Sequence, residues 1–188
     1  MADIALLIMD VQGSIVERVV GDAEPLLGAI ERAATAARAN SLPVVYVRVA
    51  FRPGNPEVNS NNRIFAALSD QAFSEDAPGT QIHPTVAPRP GDIMVTKKRV
   101  SAFAGSDLDM VLRAQGVTQL VLTGIATSGV VLSTLRQAAD MDYGLTVLRD
   151  GCSDADPEVH RVLLDKVFPR QADVLTADEW ILGRATVS

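Results

Sequence analysis

The feature that most constrains the fold is a series of short apolar runs separated by segments with helical spacing. The first run, Ile4–Met9, contains no polar residue and is followed directly by Asp10. A strand buried on both faces has this continuous pattern, whereas a half-exposed strand alternates apolar and polar residues. The pattern predicts strands at Ile4–Met9, Val44–Ala50, Ile93–Thr96, Leu120–Thr123, Leu145–Leu148 and Ala172–Leu175.

The intervening segments carry apolar residues on one helical stripe. In the segment from Ala23 to Asn40 the stripe includes Leu26, Ile30 and Ala37, and the segments Leu108–Ala114 and Val130–Met141 have similar spacing. Strands that alternate with helices predict right-handed crossovers and a mostly parallel sheet between two helical layers. The fold class is therefore expected to be α/β, a three-layer α/β/α sandwich of Rossmann-like type. The length of 188 residues and the apolar share of 47% predict a single domain spanning residues 1–188.

One long segment, Phe51 to Pro90, interrupts the alternation. It is rich in Pro, Asn, Gly and Ser, and helical spacing is evident only around Arg63 to Ala67. Segments of this length between strands commonly form a functional lid or an interface arm. A plain surface excursion is the alternative.

The charge balance limits the classes of partner. The chain has 17 Lys and Arg against 23 Asp and Glu, and its longest basic run is Lys97–Arg99. This argues against a nucleic-acid-binding or basic membrane-binding surface. We expect a small-molecule substrate or ligand, and the long segment together with the apolar composition predicts a homo-oligomer.

The first apolar run and the cysteine content indicate the cellular compartment of the protein. Ile4–Met9 is too short to span a membrane and lacks the positive flank of a signal peptide. Cys152 is the single cysteine, so the chain has no internal disulfide and lacks the cysteine spacing of a structural zinc site. These features predict a cytoplasmic protein.

Candidate functional residues lie where predicted strands end. Asp10 follows the first strand, Lys97 follows the third, and the glycine-bounded turn from Gly124 to Gly129 follows the fourth and opens a helix. Each has a plain structural explanation, as a turn residue, a solvated charge or a tight turn. Ligands of open parallel sheets bind beyond the carboxyl ends of the strands, so the coincidence of all three favours a site.

Four motifs carry a family resemblance. They are Asp10-x-Gln12, Lys97 to Phe103 with Ser106-x-Leu108, Gly124 to Thr127, and Asp150 to Cys152 with His160. In this order and spacing the chain resembles the isochorismatase-like hydrolases, also called the cysteine hydrolase superfamily, nearly from end to end. The resemblance implies that family's fold and a site with Asp10 and Lys97 as catalytic residues and Gln12, Ala126 and Val130 as substrate-binding residues.

The resemblance also shows a departure. The family typically hydrolyses amides with an Asp–Lys–Cys triad, and its cysteine falls on Val130 in this chain. Valine neither attacks a carbonyl group nor ionises, so thiol chemistry is not expected at that position. Cys152 follows a different strand and is not favoured as a substitute. Ser128 and Thr127 are expected to cap the helix with their side chains.

Two further expectations follow from the resemblance. A cis peptide bond is implied between Ile125 and Ala126, with the amides of Ala126 and residue 130 forming an oxyanion hole. Family members that bind zinc or iron do so through an Asp-x-His motif near the second strand, and residues 47–52 contain no Asp or His. We therefore expect no metal and no cofactor, and we expect His83 and His160 to be structural or surface residues.

Three functional hypotheses remain open. The first is hydrolysis of the vinyl-ether type, in which Asp10 acts as a general acid and no thiol is needed. The second is a catalytically silent member that binds a small anionic ligand, and the third and least favoured is an amide hydrolase with a different nucleophile. A substrate carboxylate could be held by an arginine, the candidates being Arg48, Arg52 and Arg99, although each is also explained as a solvated charge.

Overall fold

The computed structural model describes residues 3–67 and 73–185, which form one six-stranded sheet with helices on both faces. The strands are β1 (Ile4–Met9), β2 (Val44–Val49), β3 (Ile93–Lys97), β4 (Gln119–Ile125), β5 (Gly144–Ser153) and β6 (Asp173–Leu175). The α-helices are α1 (Gly13–Val19), α2 (Glu24–Ala39), α3 (Arg63–Ala66), α4 (Leu108–Ala114), α5 (Leu132–Asp140), α6 (Pro157–Val162) and α7 (Ala177–Ala185). No helix in the described part of the chain is both long and apolar enough to cross a bilayer.

The sheet is parallel throughout and its strand order is β3-β2-β1-β4-β5-β6. The chain builds outward from β1 to β3, then returns to the other side of β1 and builds outward again to β6. The direction of growth reverses between β1 and β4, and such a switch point opens a crevice at the carboxyl ends of the strands. The predicted three-layer, mostly parallel α/β/α architecture is therefore confirmed.

Two separate apolar clusters explain why the strand sequences are continuous apolar runs. Leu6 and Ile8 of β1 belong to the cluster on the face covered by α2, whereas Leu7 and Met9 belong to the cluster on the face covered by α4 and α5. Successive strand side chains point to opposite faces, so a central strand buries every residue. The residues from Ala5 to Met9 have no solvent exposure.

Strand β5 is longer than predicted. The sequence pattern ends at Leu148 because Arg149 and Asp150 are polar, but the strand continues to Ser153. After a register shift, Cys152 pairs with Gly124 and Ser153 pairs with Ile125, so the extension is set by pairing with the long strand β4. Main-chain pairing of this kind does not require apolar side chains.

The helix predicted at Val130–Met141 is present as α5, Leu132–Asp140. The preceding residues Thr127–Val131 form a π-type turn that is interrupted at Gly129, where φ is −96° and ψ is −105°. Helix α1 was not predicted, because its seven residues provide less than two turns of apolar spacing. Its residues Ile15 and Val19, four positions apart on one helical face, were the available signal.

The long segment after β2 contributes to the carboxyl end of the sheet. It contains α3 and two 3₁₀ turns, Pro78–Thr80 and Pro84–Val86, and it is joined to the rest of the protein by a bridge between Gln12 and Ile82. Ion pairs between Lys98 and Glu75 and between Arg52 and Glu57 hold other parts of the segment. Residues 68–72 of this segment lie outside the described residues.

Candidate active site

A cavity of about 170 Å³ lies at the switch point of the sheet. Four strands supply its inner lining: Asp10 directly follows β1, and Val49, Lys97 and Ile125 are the last residues of β2, β3 and β4. We term these four the strand-end residues. Their positions follow from the parallel topology, which brings the carboxyl ends of neighbouring strands to one edge.

The remaining lining comes from segments outside the sheet. Ala126, Gly129 and Val130 belong to the turn between β4 and α5. The others, termed here the outer residues, are Ile15, Arg18 and Val19 of α1, Ile64 and Phe65 of α3, and Phe73 and Val100. The lining is therefore mainly apolar, and the charged side chains that the described residues contribute to it are Asp10, Arg18 and Lys97.

Asp10 and Lys97 form a buried ion pair. The Lys97 Nζ atom lies 2.9 Å from Asp10 Oδ2, and the two side chains are only 2% and 8% exposed. Lys97 Nζ also donates a hydrogen bond to the Arg99 carbonyl oxygen at 2.9 Å. The second carboxylate oxygen, Asp10 Oδ1, is buried and has no hydrogen-bond partner among the described residues. A buried oxygen without a partner is rare, so it is a candidate contact for a bound molecule.

Burial dominates the electrostatics of Asp10. Desolvation raises the pKa of the Asp10 carboxyl above its usual value, although Lys97 and the main chain at Val49 both act to lower it. The raised pKa means that removal from water outweighs the attraction of the neighbouring ammonium group. Asp10 is therefore protonated over a wider pH range than an exposed aspartate.

The turn after β4 contains the cis peptide bond implied by the resemblance, whereas the oxyanion hole implied there stays a prediction. The peptide bond between Ile125 and Ala126 is cis. The Ala126 carbonyl oxygen accepts hydrogen bonds from the amides of Gly129 and Val131, at 3.1 and 3.3 Å. Val130 is 2% exposed and lines the cavity with Ala126.

The predicted capping of this turn by Ser128 and Thr127 is wrong. The N-cap position is Ala126, and no side-chain cap is made there. Thr127 Oγ1 instead lies 2.8 Å from His160 Nδ1, and the Ser128 amide donates to Asp154 Oδ2 at 2.7 Å. The Asp154 carboxylate thus performs the capping from another element, because a negative charge near helical amides is favourable.

His160 of α6 has a structural contact, as predicted. It is half-buried, and desolvation lowers the pKa of its imidazole, which favours the neutral form that hydrogen-bonds with Thr127. Neither Thr127 nor His160 lines the cavity.

Gln12 is the one predicted site residue that the structure does not bring to the cavity. Its side-chain amide is fully buried and donates to the carbonyl oxygens of Val49 and Thr80, and its Oε1 accepts from the Val49 amide at 2.8 Å. These contacts join the end of β2 to a 3₁₀ turn of the long segment. Asp10, Lys97, Ala126 and Val130 are all brought together in the cavity lining.

The three arginines considered as carboxylate ligands also lie outside the lining. Arg48 contacts Thr96 and Gln81, Arg52 pairs with Glu57, and Arg99 donates to the Lys98 carbonyl oxygen. Arg18 lines the cavity instead and was not identified from the sequence. The expectation of no metal remains a prediction; within residues 3–67 and 73–185 no three His, Cys, Asp or Glu side chains cluster in a way that could hold one.

Cys152 lies in the apolar core and is 5% exposed. It is not part of the cavity lining. Desolvation raises the pKa of its thiol to about 12. The thiolate is the reactive form of cysteine, so this environment is typical of an inert core residue.

We expect Cys152 to resist alkylation in the folded protein. At pH 8 a thiol with this pKa is thiolate to roughly one part in 10⁴, and burial also blocks access. Iodoacetamide followed by mass spectrometry should find native protein unlabelled under conditions that label urea-unfolded protein completely. Labelling of both samples at the same rate would contradict the assignment of Cys152 to the core.

The described geometry defines a class: an open, doubly wound parallel α/β protein with a buried Asp–Lys pair in a small cavity at its switch point. A family model described as the isochorismatase domain matches residues 4–179. The chain therefore belongs to the isochorismatase family.

Individual relatives agree with this assignment. The chain is 35% identical over 152 residues to the ureidoacrylate amidohydrolase RutB of Pseudomonas syringae pv. syringae strain B728a, covering 74% of this chain and 62% of the relative. The chain thus spans less than two thirds of that relative's length. A solved N-carbamoylsarcosine amidase from Thermoplasma acidophilum is 27% identical, with a TM-score of 0.77 and coverage of 94% of this chain and 98% of that one.

A third comparison bears on the fold alone. The crystal structure of a cysteine hydrolase from Pseudomonas syringae pv. phaseolicola 1448A superposes with a TM-score of 0.91 at 24% identity, covering 99% of this chain and 94% of that one. The whole arrangement of strands and helices is therefore shared with that solved structure. The names of all three proteins, an amidohydrolase, an amidase and a cysteine hydrolase, are those of hydrolytic enzymes.

Proposed function

We propose that this chain hydrolyses a small organic molecule with Asp10 as its proton-transferring group and without a thiol nucleophile. The observation that carries the proposal is the buried Asp10–Lys97 pair, in which one carboxylate oxygen is held at 2.9 Å and the other has no partner among the described residues. A carboxyl group in an apolar cavity with a raised pKa is a typical proton donor in enzymes.

The composition of the cavity lining supports a mechanism without a nucleophilic side chain. Within the part of the chain that the structure describes, the residues that line it include no cysteine, serine, threonine or histidine. Val130 stands where the resemblance places the cysteine of the family, and Cys152 is buried in the core. Water is then the nucleophile, and Asp10 is the residue able to exchange a proton with the substrate.

In hydrolysis of the vinyl-ether type, protonated Asp10 donates its proton to an alkene carbon of the substrate. The C=C π electrons form the new C–H bond, and the ether oxygen stabilises the resulting oxocarbenium ion. Water adds to that ion and gives a proton to the Asp10 carboxylate, which restores the acid, and the resulting hemiketal collapses to a carbonyl compound and an alcohol as its hydroxyl proton passes to the leaving oxygen. Lys97 assists because its ammonium group stabilises the Asp10 carboxylate as the proton leaves, while burial raises the pKa of Asp10 and so increases the protonated fraction before reaction.

Amide hydrolysis is the second candidate, and the names of the relatives favour it. Both RutB and the N-carbamoylsarcosine amidase are named as enzymes that cleave C–N bonds. In this chain such a reaction requires Asp10 as a general base that takes a proton from water, since no thiol lines the cavity. A silent member that only binds a small ligand is the third candidate.

The direction of the pH dependence separates the two reactions. We expect kcat/KM to fall as the pH rises through the raised Asp10 pKa, because only the protonated acid donates a proton. A general base would instead give a rate that rises over the same interval. The measurement is a pH–rate profile on the best substrate from panels of vinyl ethers, amides and ureido acids. Binding without turnover across all panels would favour the silent member.

A further inference from the structure

We infer that Arg18 binds a carboxylate group of the substrate, so that the substrate is a small organic anion with an apolar body. The inference deepens the proposed function, because it rests on the same cavity. Among the described residues, the lining carries one acidic side chain, Asp10, and two basic ones, Lys97 and Arg18. Asp10 and Lys97 form an ion pair with each other, with 2.9 Å between Oδ2 and Nζ. Arg18 supplies the excess positive charge.

Arg18 has no carboxylate within ion-pair distance among the described residues. Its guanidinium carbon lies 5.9 Å from the centre of the Phe73 ring, a cation–π contact. Arginines elsewhere, such as Arg32, Arg38 and Arg113, pair with acidic side chains. An exposed arginine that lines a cavity, rests on an aromatic ring and lacks an acidic partner is suited to bind an anion, because its planar group matches a carboxylate in geometry.

The apolar outer residues define the rest of the ligand. Phe65 and Phe73 are 7% and 6% exposed and line the cavity with Ile64 and Ile15. A dry apolar cavity of about 150 Å³ is large enough to bind benzene, so this cavity accommodates a body of similar size. A ligand with its carboxylate at exposed Arg18 places its other end toward buried Asp10. The substrate class is therefore a carboxylate separated from the scissile bond by a short apolar body.

The test compares benzoate with benzamide, which share an apolar ring and differ in charge. Isothermal titration calorimetry at low salt should show that the parent protein binds benzoate more tightly than benzamide. Arg18→Gln should weaken benzoate binding roughly tenfold or more, the worth of a charge-assisted hydrogen bond, and leave benzamide binding unchanged. Arg18→Lys, which keeps the charge but loses the planar group, should be intermediate.

The matched control is Arg113→Gln, which removes the same charge from an exposed residue outside the cavity lining. It should leave the binding of both probes unchanged. The inference is overturned if Arg18→Gln binds benzoate as the parent does, if Arg113→Gln weakens binding equally, or if the parent fails to prefer benzoate. Binding does not require turnover, so the two proposals fail separately: a parent protein that prefers benzoate as expected but hydrolyses no member of the vinyl ether, amide or ureido acid panels would contradict the proposed function alone.

Discussion

Replacing Asp10 with asparagine is expected to lower kcat/KM by about 10²-fold or more, the usual contribution of a general acid or base. Asparagine keeps the size of the side chain and can still accept a hydrogen bond from Lys97, but it cannot transfer a proton. It also tolerates the left-handed backbone at this position, where φ is 57°. The loss should therefore reflect chemistry, and steady-state kinetics on the best substrate measures it.

Asp92→Asn is the matched control. Asp92 is a carboxylate 5% exposed that pairs with Arg38 at 2.8 Å, and it precedes β3, so it lies at the opposite end of the sheet. This variant should keep the parent rate after correction for its stability. Asp10→Asn turning over a true substrate at the parent rate would refute the proposed mechanism.

Lys97→Met is expected to reduce the free energy of unfolding by about 3 kcal/mol near neutral pH, because removing one partner of a buried ion pair leaves the other charge without compensation. The variant should also bind substrate more weakly and turn it over more slowly. Urea unfolding followed by circular dichroism gives the stability. The double variant Asp10→Asn/Lys97→Met has no buried charge at this position and should recover most of the loss.

The stability deficit of Lys97→Met should depend on pH. Without Lys97 the folded-state pKa of Asp10 rises further, since the neighbouring ammonium is one of the influences that lower it. A carboxyl group with a raised folded pKa binds protons more tightly in the folded protein, so stability falls as the pH rises from about 4 toward that pKa. The deficit should be smaller near pH 5 than at pH 7. A deficit that is equal at both pH values, or that persists in the double variant, would show that Lys97 acts through packing of its side chain.

The sequence was sufficient to predict the fold because both faces of the sheet are buried. Apolar runs identified the inner parts of all six strands, and their alternation with helices predicted that the strands run mostly parallel. The boundaries were less accurate where a strand continues beyond its apolar run, as β5 does through the register shift that precedes Cys152. Helix α1 was not predicted because its seven residues are too few to show a clear helical repeat of apolar side chains.

The site was predictable where it depends on strand ends and not where it depends on tertiary contacts. Asp10 and Lys97 meet because parallel strands end at one edge of the sheet. The strand ends can be located in the sequence, so this contact could be predicted. Gln12 was assigned to the substrate, yet its amide serves main-chain groups from distant segments. Arg18 and Phe73 are brought together by the path of the long segment, which no local pattern encodes. Burial and Lys97 shift the pKa of Asp10 in opposite directions, and the sequence alone does not show which effect is larger. The packed environment of Asp10 decides it.

The cavity lining is divided between strand-end residues in the sheet and outer residues on separate segments, so the two parts can change independently in evolution. The Asp10–Lys97 pair stands at the ends of sheet strands, where Lys97 is 1% exposed, whereas Ile64 of α3 is 62% exposed and Arg18 is also solvent-exposed. Substitutions at exposed positions usually change stability by less than about 0.5 kcal/mol. A lineage, or a directed-evolution library confined to Arg18 and Ile64, can therefore vary the mouth of the cavity while the Asp10–Lys97 pair and the hydrophobic core stay intact.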